Sequence, residues 1–354
     1  MARRGLLKRT SEGAGHKKSV LTIREVASAA GVSLGSVSRV LNGHASVTPE
    51  IRAKVEKAIQ QLGFQPNAVA QSMRSRASRT VGCIIRDINI PGLAAFVRAA
   101  HDVLLQAGYA LLLTNSEGKE ERERELISVM VARQADALLL SQYSEHDTSL
   151  LDQLRKVKFP VVLMDRERPD WADSVTVDHR TTIRQATAML AQLGHRRIAL
   201  ITGRDSLYPA RSRIEGFREG LAAAGLPVDP RMIRMGTFEA EFGFEETSLL
   251  LASPERPTAI IAGGIEMLPG VLRAVRVRGL SIPRDISLIG TLNSELAELY
   301  DPPITVEDWD YAKVGRIAAR FALERIRSAG EAQPKRLMIP SDIIMRGSCA
   351  PPPA

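Results

Sequence analysis

Residues 22–42 read Thr-Ile-Arg-Glu-Val-Ala-Ser-Ala-Ala-Gly-Val-Ser-Leu-Gly-Ser-Val-Ser-Arg-Val-Leu-Asn. The spacing predicts two short helices around a tight turn. Thr22 and Glu25 stand three apart, the pattern of a capping box. Ile23, Val26, Ala27 and Ala30 recur at helical intervals and give the first helix a buried stripe. Gly31 falls where the chain must reverse, and Val32 plugs the corner. Ser33 then caps a second helix that turns Val37, Val40 and Leu41 inward. Its other face, Leu34, Gly35, Ser38, Arg39 and Asn42, is small, polar and basic. A helix with such a face fits the DNA major groove.

The flanking sequence completes a small helical head. Thr48-Pro49-Glu50 is a cap followed by proline at the first helical position and opens a helix over 51–62, which Gly63 ends. Pro66-Asn67 precedes a run of good helix formers over 68–74. Isolated helices this short are marginal, so this one is expected to order only on a partner. Residues 75–80 read as a polar, basic link, and 1–19 as a disordered basic arm. Residues 1–80 hold 14 Lys/Arg against 4 Asp/Glu. The rest of the 354-residue chain holds 34 against 36, so the whole surplus of +8 comes from the head. That asymmetry is the footprint of a nucleic-acid-binding head on a neutral body.

From Val81 the pattern alternates strand and helix. Apolar, strand-length runs at 81–85, 110–114, 137–141 and 161–164 are separated by helical stretches near 92–107, 119–133 and 147–157. A second series, 198–202, 232–235, 259–262 and 286–289, carries helices near 181–193, 209–224, 241–252 and 266–278. Two such series imply two lobes of α/β structure with parallel, doubly wound sheets. Ligands of such sheets sit outside the carboxyl ends of the strands, so the cleft between the lobes is the expected site. No apolar run approaches the length of a membrane span, and no apolar core follows the basic N-terminus. Cys83 and Cys349 have neither metal nor redox spacing, which suits a reducing cytoplasm. No glycine-rich phosphate loop or histidine cluster is present, so neither cofactor nor metal is expected. Asp165-Arg166 lacks an activated nucleophile or a second acid, so an enzyme is not expected. His195, in Leu-Gly-His-Arg-Arg, reads as a helix-end cap.

The head closely resembles the LacI/GalR (lac-repressor-like) family of bacterial transcription regulators, in 22–23, 26–27, 30–33, 37–42 and 66–67. The resemblance continues through 193–199, 213–217 and 302–306 to 346–348 and covers essentially 20–349. It implies an all-α helix-turn-helix head with a hinge helix, followed by an α/β two-lobed body like the periplasmic binding proteins. The family implies a cytoplasmic, nucleoid-associated homodimer on a double-stranded, pseudo-palindromic operator, controlled by a small-molecule effector between the lobes. The expected boundaries are 1–19 arm, 20–66 head, 67–80 hinge and linker, and 81–354 body. Within the body, lobe 1 is placed at 81–177 plus 309–335 and lobe 2 at 178–305 plus 336–354. By resemblance, Ser33, Leu34, Gly35, Ser38, Arg39 and Asn42 are contact positions of the recognition helix. Thr22, Thr48, Asn67 and Ala70 stand near phosphates or the minor groove, and Met73 takes the place of the family's leucine wedge. Leu34 and Gly35 cannot hydrogen-bond a base through their side chains, so Arg39 is expected to carry the base discrimination.

The resemblance also implies effector contacts from Asp165, Arg213, Phe238, Asn293 and Trp309. Several positions depart from the family pattern. Gly264-Ile265 replaces the usual Asn-Asp, Thr291-Leu292-Asn293 replaces Phe-Asp-Asp, and Gly92-Leu93 replaces an aromatic pair after Pro91. Arg86 appears where a neutral residue is common. The cleft has thus lost two acids and gained a cation, which points to an anionic effector such as a sugar acid or phosphosugar. The alternative is that Arg86 pairs internally with Asp87 or Asp165. Other readings that stay open are an effector-independent, architectural DNA-binding protein and a solute-binding receptor.

Overall fold

The computed structural model describes residues 21–41, 46–64, 77–167, 169–328 and 333–353. Asn42, Asn67, Ala70 and Met73, the arm and most of the expected hinge lie outside the described residues. Contacts divide the chain between Arg76 and Ala77 into a head and a body.

The head contains α1 (Ile23–Ala30), α2 (Leu34–Leu41) and α3 (Pro49–Leu62). Glu25 accepts the Thr22 N–H at 2.5 Å, so the reciprocal arm of the capping box is formed. Gly31 ends α1 at φ 63°, a left-handed conformation that suits glycine. Ser33 Oγ accepts the Ser36 N–H at 3.1 Å and starts α2. Thr48 caps α3, accepting the Ile51 N–H. Val26, Ala27, Val37, Val40, Val55, Ala58 and Phe64 form the core that locks the three helices together.

The body has two sheets. In the first, β1 (Thr80–Ile85) lies between β2 (Ala110–Asn115) and β3 (Ala137–Leu140). Beyond β3 come β4 (Val161–Met164), β5 (Asp173–Val177) and β11 (Arg336–Ile339), all parallel. One face is covered by α4 (Pro91–Gln106) and α12 (Tyr311–Arg327), the other by α5 (Glu120–Ala132) and α6 (Thr148–Lys156). The second sheet runs β12 (Asp342–Ile344), β10 (Thr305–Asp308), β9 (Ser287–Thr291), β8 (Ala259–Gly263), β6 (Ile198–Gly203) and β7 (Ile233–Gly236). Its faces pack on α7 (His179–Gln192) with α8 (Tyr208–Ala223), and on α9 (Ala240–Ala252) with α10 (Met267–Val277). The short α11 (Glu295–Leu299) follows β9. β12 is antiparallel to β10; every other pairing in the body is parallel.

One boundary needs correction. Residues 336–339 belong to the first sheet, not to the second lobe, because β11 pairs with β5 in register from Arg336 to Ile339. A buried clamp fixes this arrangement: Asp173 holds the Arg325 guanidinium at 2.7 and 2.8 Å and the Lys335 N–H at 2.6 Å. The chain therefore crosses between lobes three times, between β5 and α7, between β10 and α12, and between β11 and β12.

Candidate functional site

Two sites emerge, one on the head and one in the body. On the head, α2 buries Val37 and Val40 and exposes Leu34, Gly35 and Arg39. Leu34 is 44% exposed, a high value for leucine in a packed three-helix unit. A Cβ at position 35 would stand 3.7 Å from Arg39 Nη2, an ordinary contact, so the guanidinium lies along the helix beside this glycine. Ser38 is half-buried and Thr22 and Thr48 stand at helix starts. The expected reading residues that are described thus share one small head.

In the body, a cavity of about 180 Å³ opens between the lobes at the carboxyl ends of the strands. Arg86, Asp165, Arg213, Phe238 and Trp309, five of the six expected effector residues, line it. The sixth, Asn293, does not. After β9 the backbone turns through Leu292 at φ 68°, burying Leu292 and sending Asn293 outward. There the Asn293 amide bonds Glu298 at 3.0 Å and receives Arg346 at 2.5 Å, tying down the C-terminal segment. His195 is likewise structural but not a simple cap: its ring bridges Thr258, Ser287 and the Ala350 carbonyl.

Asp165 follows β4 in a left-handed conformation, φ 53°, which aspartate tolerates. Its N–H donates to Val175 O at 2.8 Å and its Oδ1 accepts the Val177 N–H at 3.2 Å. Oδ2 faces His179 Nε2 at 3.1 Å, and His179 Nδ1 faces Glu307 Oε1 at 2.6 Å. Arg213 Nε donates to Glu307 Oε2 at 3.0 Å. Buried His179, Arg213 and Glu307, with Asp165 partly open to the cavity, form one cluster where two crossovers leave their sheets. Burial and Arg213 oppose a charge on His179, but the Asp165 and Glu307 carboxylates outweigh them and raise its pKa. Burial acts against both carboxylates too; His179 and Arg213 hold the Glu307 pKa below its ordinary value, and His179, with Arg166 and Arg213, does so for Asp165. When protonated, the His179 ring donates one hydrogen bond to each carboxylate, and the four charges then balance.

The departures from the family pattern acquire a physical reason. A side chain at Gly264 would meet Phe238 Cδ1 at 2.7 Å, so the ring occupies the space that Asn would need. Gly92 similarly yields to Tyr311, whose ring lies against its backbone. Tyr311 lies tilted against Trp309 with centroids 5.0 Å apart, and Trp309 meets His179 edge-on at 4.9 Å. The aromatic wall is therefore supplied by the β10–α12 crossover. Arg86 pairs with neither Asp87 nor Asp165 but with Glu266 of the second lobe.

Sequence reasoning did not select Arg166 and Arg204, which also line the cavity. Arg166 donates to the Gln142 and Asp165 carbonyls at 2.7 Å each, and Arg204 to Tyr143 Oη at 2.9 Å. Neither makes an ion pair among the described residues. Glu123, at the start of α5, accepts the Tyr143 N–H at 2.8 Å, and burial pushes its pKa up to about 7. The signal for these residues was faint, since each is an ordinary charged residue beside a strand end or in the first turn of a helix.

The profile of bacterial regulatory proteins of the lacI family matches residues 22–67, and that of the periplasmic binding protein-like domain matches 187–349. The chain is 34% identical over 333 residues to the ribose operon repressor of Escherichia coli strain K12, covering 92% of this chain and 99% of that one. The chain belongs to the lacI family. Catabolite control protein A of Priestia megaterium is 33% identical over 304 residues, covering 85% of this chain and 91% of the relative. Among solved structures, the lac repressor dimer bound to operator and the anti-inducer ONPF matches with a TM-score of 0.81 and 25% identity, covering 94% of this chain and all of that one. This lacI-family member is a transcriptional repressor, not an enzyme, with a DNA-binding head and a periplasmic-binding-protein-like body. No helix among the described residues is long and apolar enough to cross a membrane.

Proposed function

We propose that the protein represses transcription as a homodimer on a pseudo-palindromic operator, and that an anionic small molecule in the cleft controls it. The domain scheme is an arm over 1–19, a reader over 20–66, a hinge over 67–80 and a sensor beyond, with the nucleoid as the place of action. In the reader, Ser33, Leu34, Gly35, Ser38, Arg39 and Asn42 approach base edges. Thr22, Thr48, Asn67 and Ala70 meet the backbone or minor groove, and a Met73 wedge from each protomer unstacks the central base step. Relatives support the arrangement, since the lac repressor structure is a dimer on operator.

The charge of the cleft carries the effector reading. Four guanidiniums, on Arg86, Arg166, Arg204 and Arg213, line it beside the carboxylates of Asp165 and Glu239; Glu266 and Glu307 pair with Arg86 and Arg213, and Arg166 and Arg204 make no ion pair among the described residues. Guanidinium forks match carboxylate and phosphate, whereas a site for neutral polyols needs more acceptors. A second reading, effector-independent DNA binding, draws support from the internal pairing of Arg213 with Glu307. A thermal-shift screen of the full chain with sugar acids, phosphosugars and neutral sugars tests the proposal. We expect acids to raise the unfolding temperature and to change affinity for a selected operator. Stabilisation by neutral sugars alone overturns the anionic reading, and no response to any ligand favours the effector-independent one.

A further inference from the structure

Arg86 and Glu266 meet across the cleft, each only partly buried. Arg86 directly follows β1 in the first lobe; Glu266 directly precedes α10 in the second. Side-chain exposure is 27% for Arg86 and 30% for Glu266, so each would lose solvation without fully regaining it if left alone. Arg86 is also a wall of the cavity, beside Ser116 and Gly118. Ser116 Oγ is buried with no hydrogen-bond partner among the described residues. A cationic fork and an unused hydroxyl thus stand together at the end of the first sheet, and the fork lies against the protein's own carboxylate, an ion pair in which Glu266 Oε2 accepts no hydrogen bond among the described residues.

We propose that Glu266 is a built-in competitor of the effector, a carboxylate that an anionic ligand must displace from Arg86 to occupy the cleft. The inference rests on the anionic reading above. A ligand carboxylate or phosphate presents the same oxygens to the guanidinium as Glu266 does, so one replaces the other with the fork still satisfied. The exchange frees Glu266 toward solvent and removes an ionic tie between the lobes. A neutral sugar cannot make the exchange, because it would leave Arg86 short of a counter-charge. Glu266 therefore sets both selectivity, by admitting only ligands that bring their own charge, and a link between occupancy and lobe position. Glu239, also in the second lobe, attracts Arg86 as well.

The test uses the full chain and isothermal titration with inorganic phosphate and with gluconate as probes, glucose serving as the neutral control. Wild type, Glu266→Gln, Arg86→Gln and the double variant are compared after circular dichroism and thermal unfolding establish that each folds. Glu266→Gln is expected to bind the anions at least fivefold more tightly than wild type. Arg86→Gln and the double variant are expected to lose that binding, with glucose unaffected throughout. The opposite signs separate competition from a merely structural ion pair, whose two halves would weaken binding alike. Equal anion affinity in wild type and Glu266→Gln overturns the inference and leaves the anionic reading standing. Glucose binding in wild type with no anion binding overturns the anionic reading itself. Absence of anion binding to Glu266→Gln also overturns the inference, because an unmasked Arg86 must then accept phosphate.

Discussion

At the scale of the residue, the proposed reading function rests most heavily on Arg39. Leu34 offers a methyl contact and Gly35 only close approach, whereas the exposed Arg39 guanidinium can donate two hydrogen bonds to a guanine edge. Replacing Arg39 with alanine is expected to cost about 1–3 kcal/mol of discrimination at one base pair of each half-site. Competition binding between the operator and point-substituted operators measures this, and unchanged preference in Arg39→Ala would remove Arg39 from its assigned role. The residues of this face were legible because Val37 and Val40 must turn inward, which leaves Leu34, Gly35 and Arg39 nowhere to go but out. Asn293 was misplaced for the complementary reason. Its position after a strand end suited the cleft, but a left-handed Leu292 reverses the side-chain order, and no local pattern announced that turn.

At the scale of the element, the entry into β1 is where the head meets the body along the chain. Asp136, just before β3, accepts the Ser78 N–H at 3.1 Å and the Arg79 N–H at 2.7 Å. The Arg79 guanidinium lies over the Tyr109 ring, 5.2 Å from its centroid, so it packs on the body. Two backbone donors held by one carboxylate anchor the link to the body, and under the proposed function this anchor is where lobe movement would reach the chain before it. Asp136→Ala leaves both donors without that acceptor and slackens the link. Effector affinity is expected to stay unchanged while the effector's influence on operator affinity falls severalfold, measured by operator titration with and without ligand. An intact influence would show that the clamp only stabilises β1. The central strands were legible as apolar runs. β5 was not, because Asp173, Ser174 and Thr176 break its apolar run, although all five residues are buried. β11 exposes Arg336, Leu337 and Met338 and carries no alternation; its place depends on the Asp173 clamp.

At the scale of the whole molecule, buried charge gives stability a pH window. The pKa of Glu307 lies below its ordinary 4.5 and that of Asp165 below 3.8, so their contribution is present above those values and lost as pH falls through the folded ones. The His179 pKa lies above 6.5, so its contribution is complete below 6.5 and lost as pH rises through the folded value. Glu123 acts in the same direction, with stability lost between 4.5 and about 7 as the unfolded chain ionises first. The body should therefore be most stable on the mildly acidic side of neutrality. Thermal unfolding across pH checks this, and Glu123→Gln should soften the decline between pH 4.5 and 7. A flat profile for wild type, or an identical decline in the variant, contradicts the account.

The sequence by itself determined the helix-turn-helix head, the basic asymmetry, the two α/β lobes and the family. Each rests on contacts near in sequence or on periodic burial, and such patterns are written in order along the chain. Tertiary structure alone decided the three crossovers, the His179–Glu307–Arg213–Asp165 cluster and the partner of Arg86. Those depend on strand ends brought together from up to 180 residues apart, between Arg86 and Glu266. Which carboxylate reaches a given arginine is settled by packing, since every candidate acid has the same local chemistry.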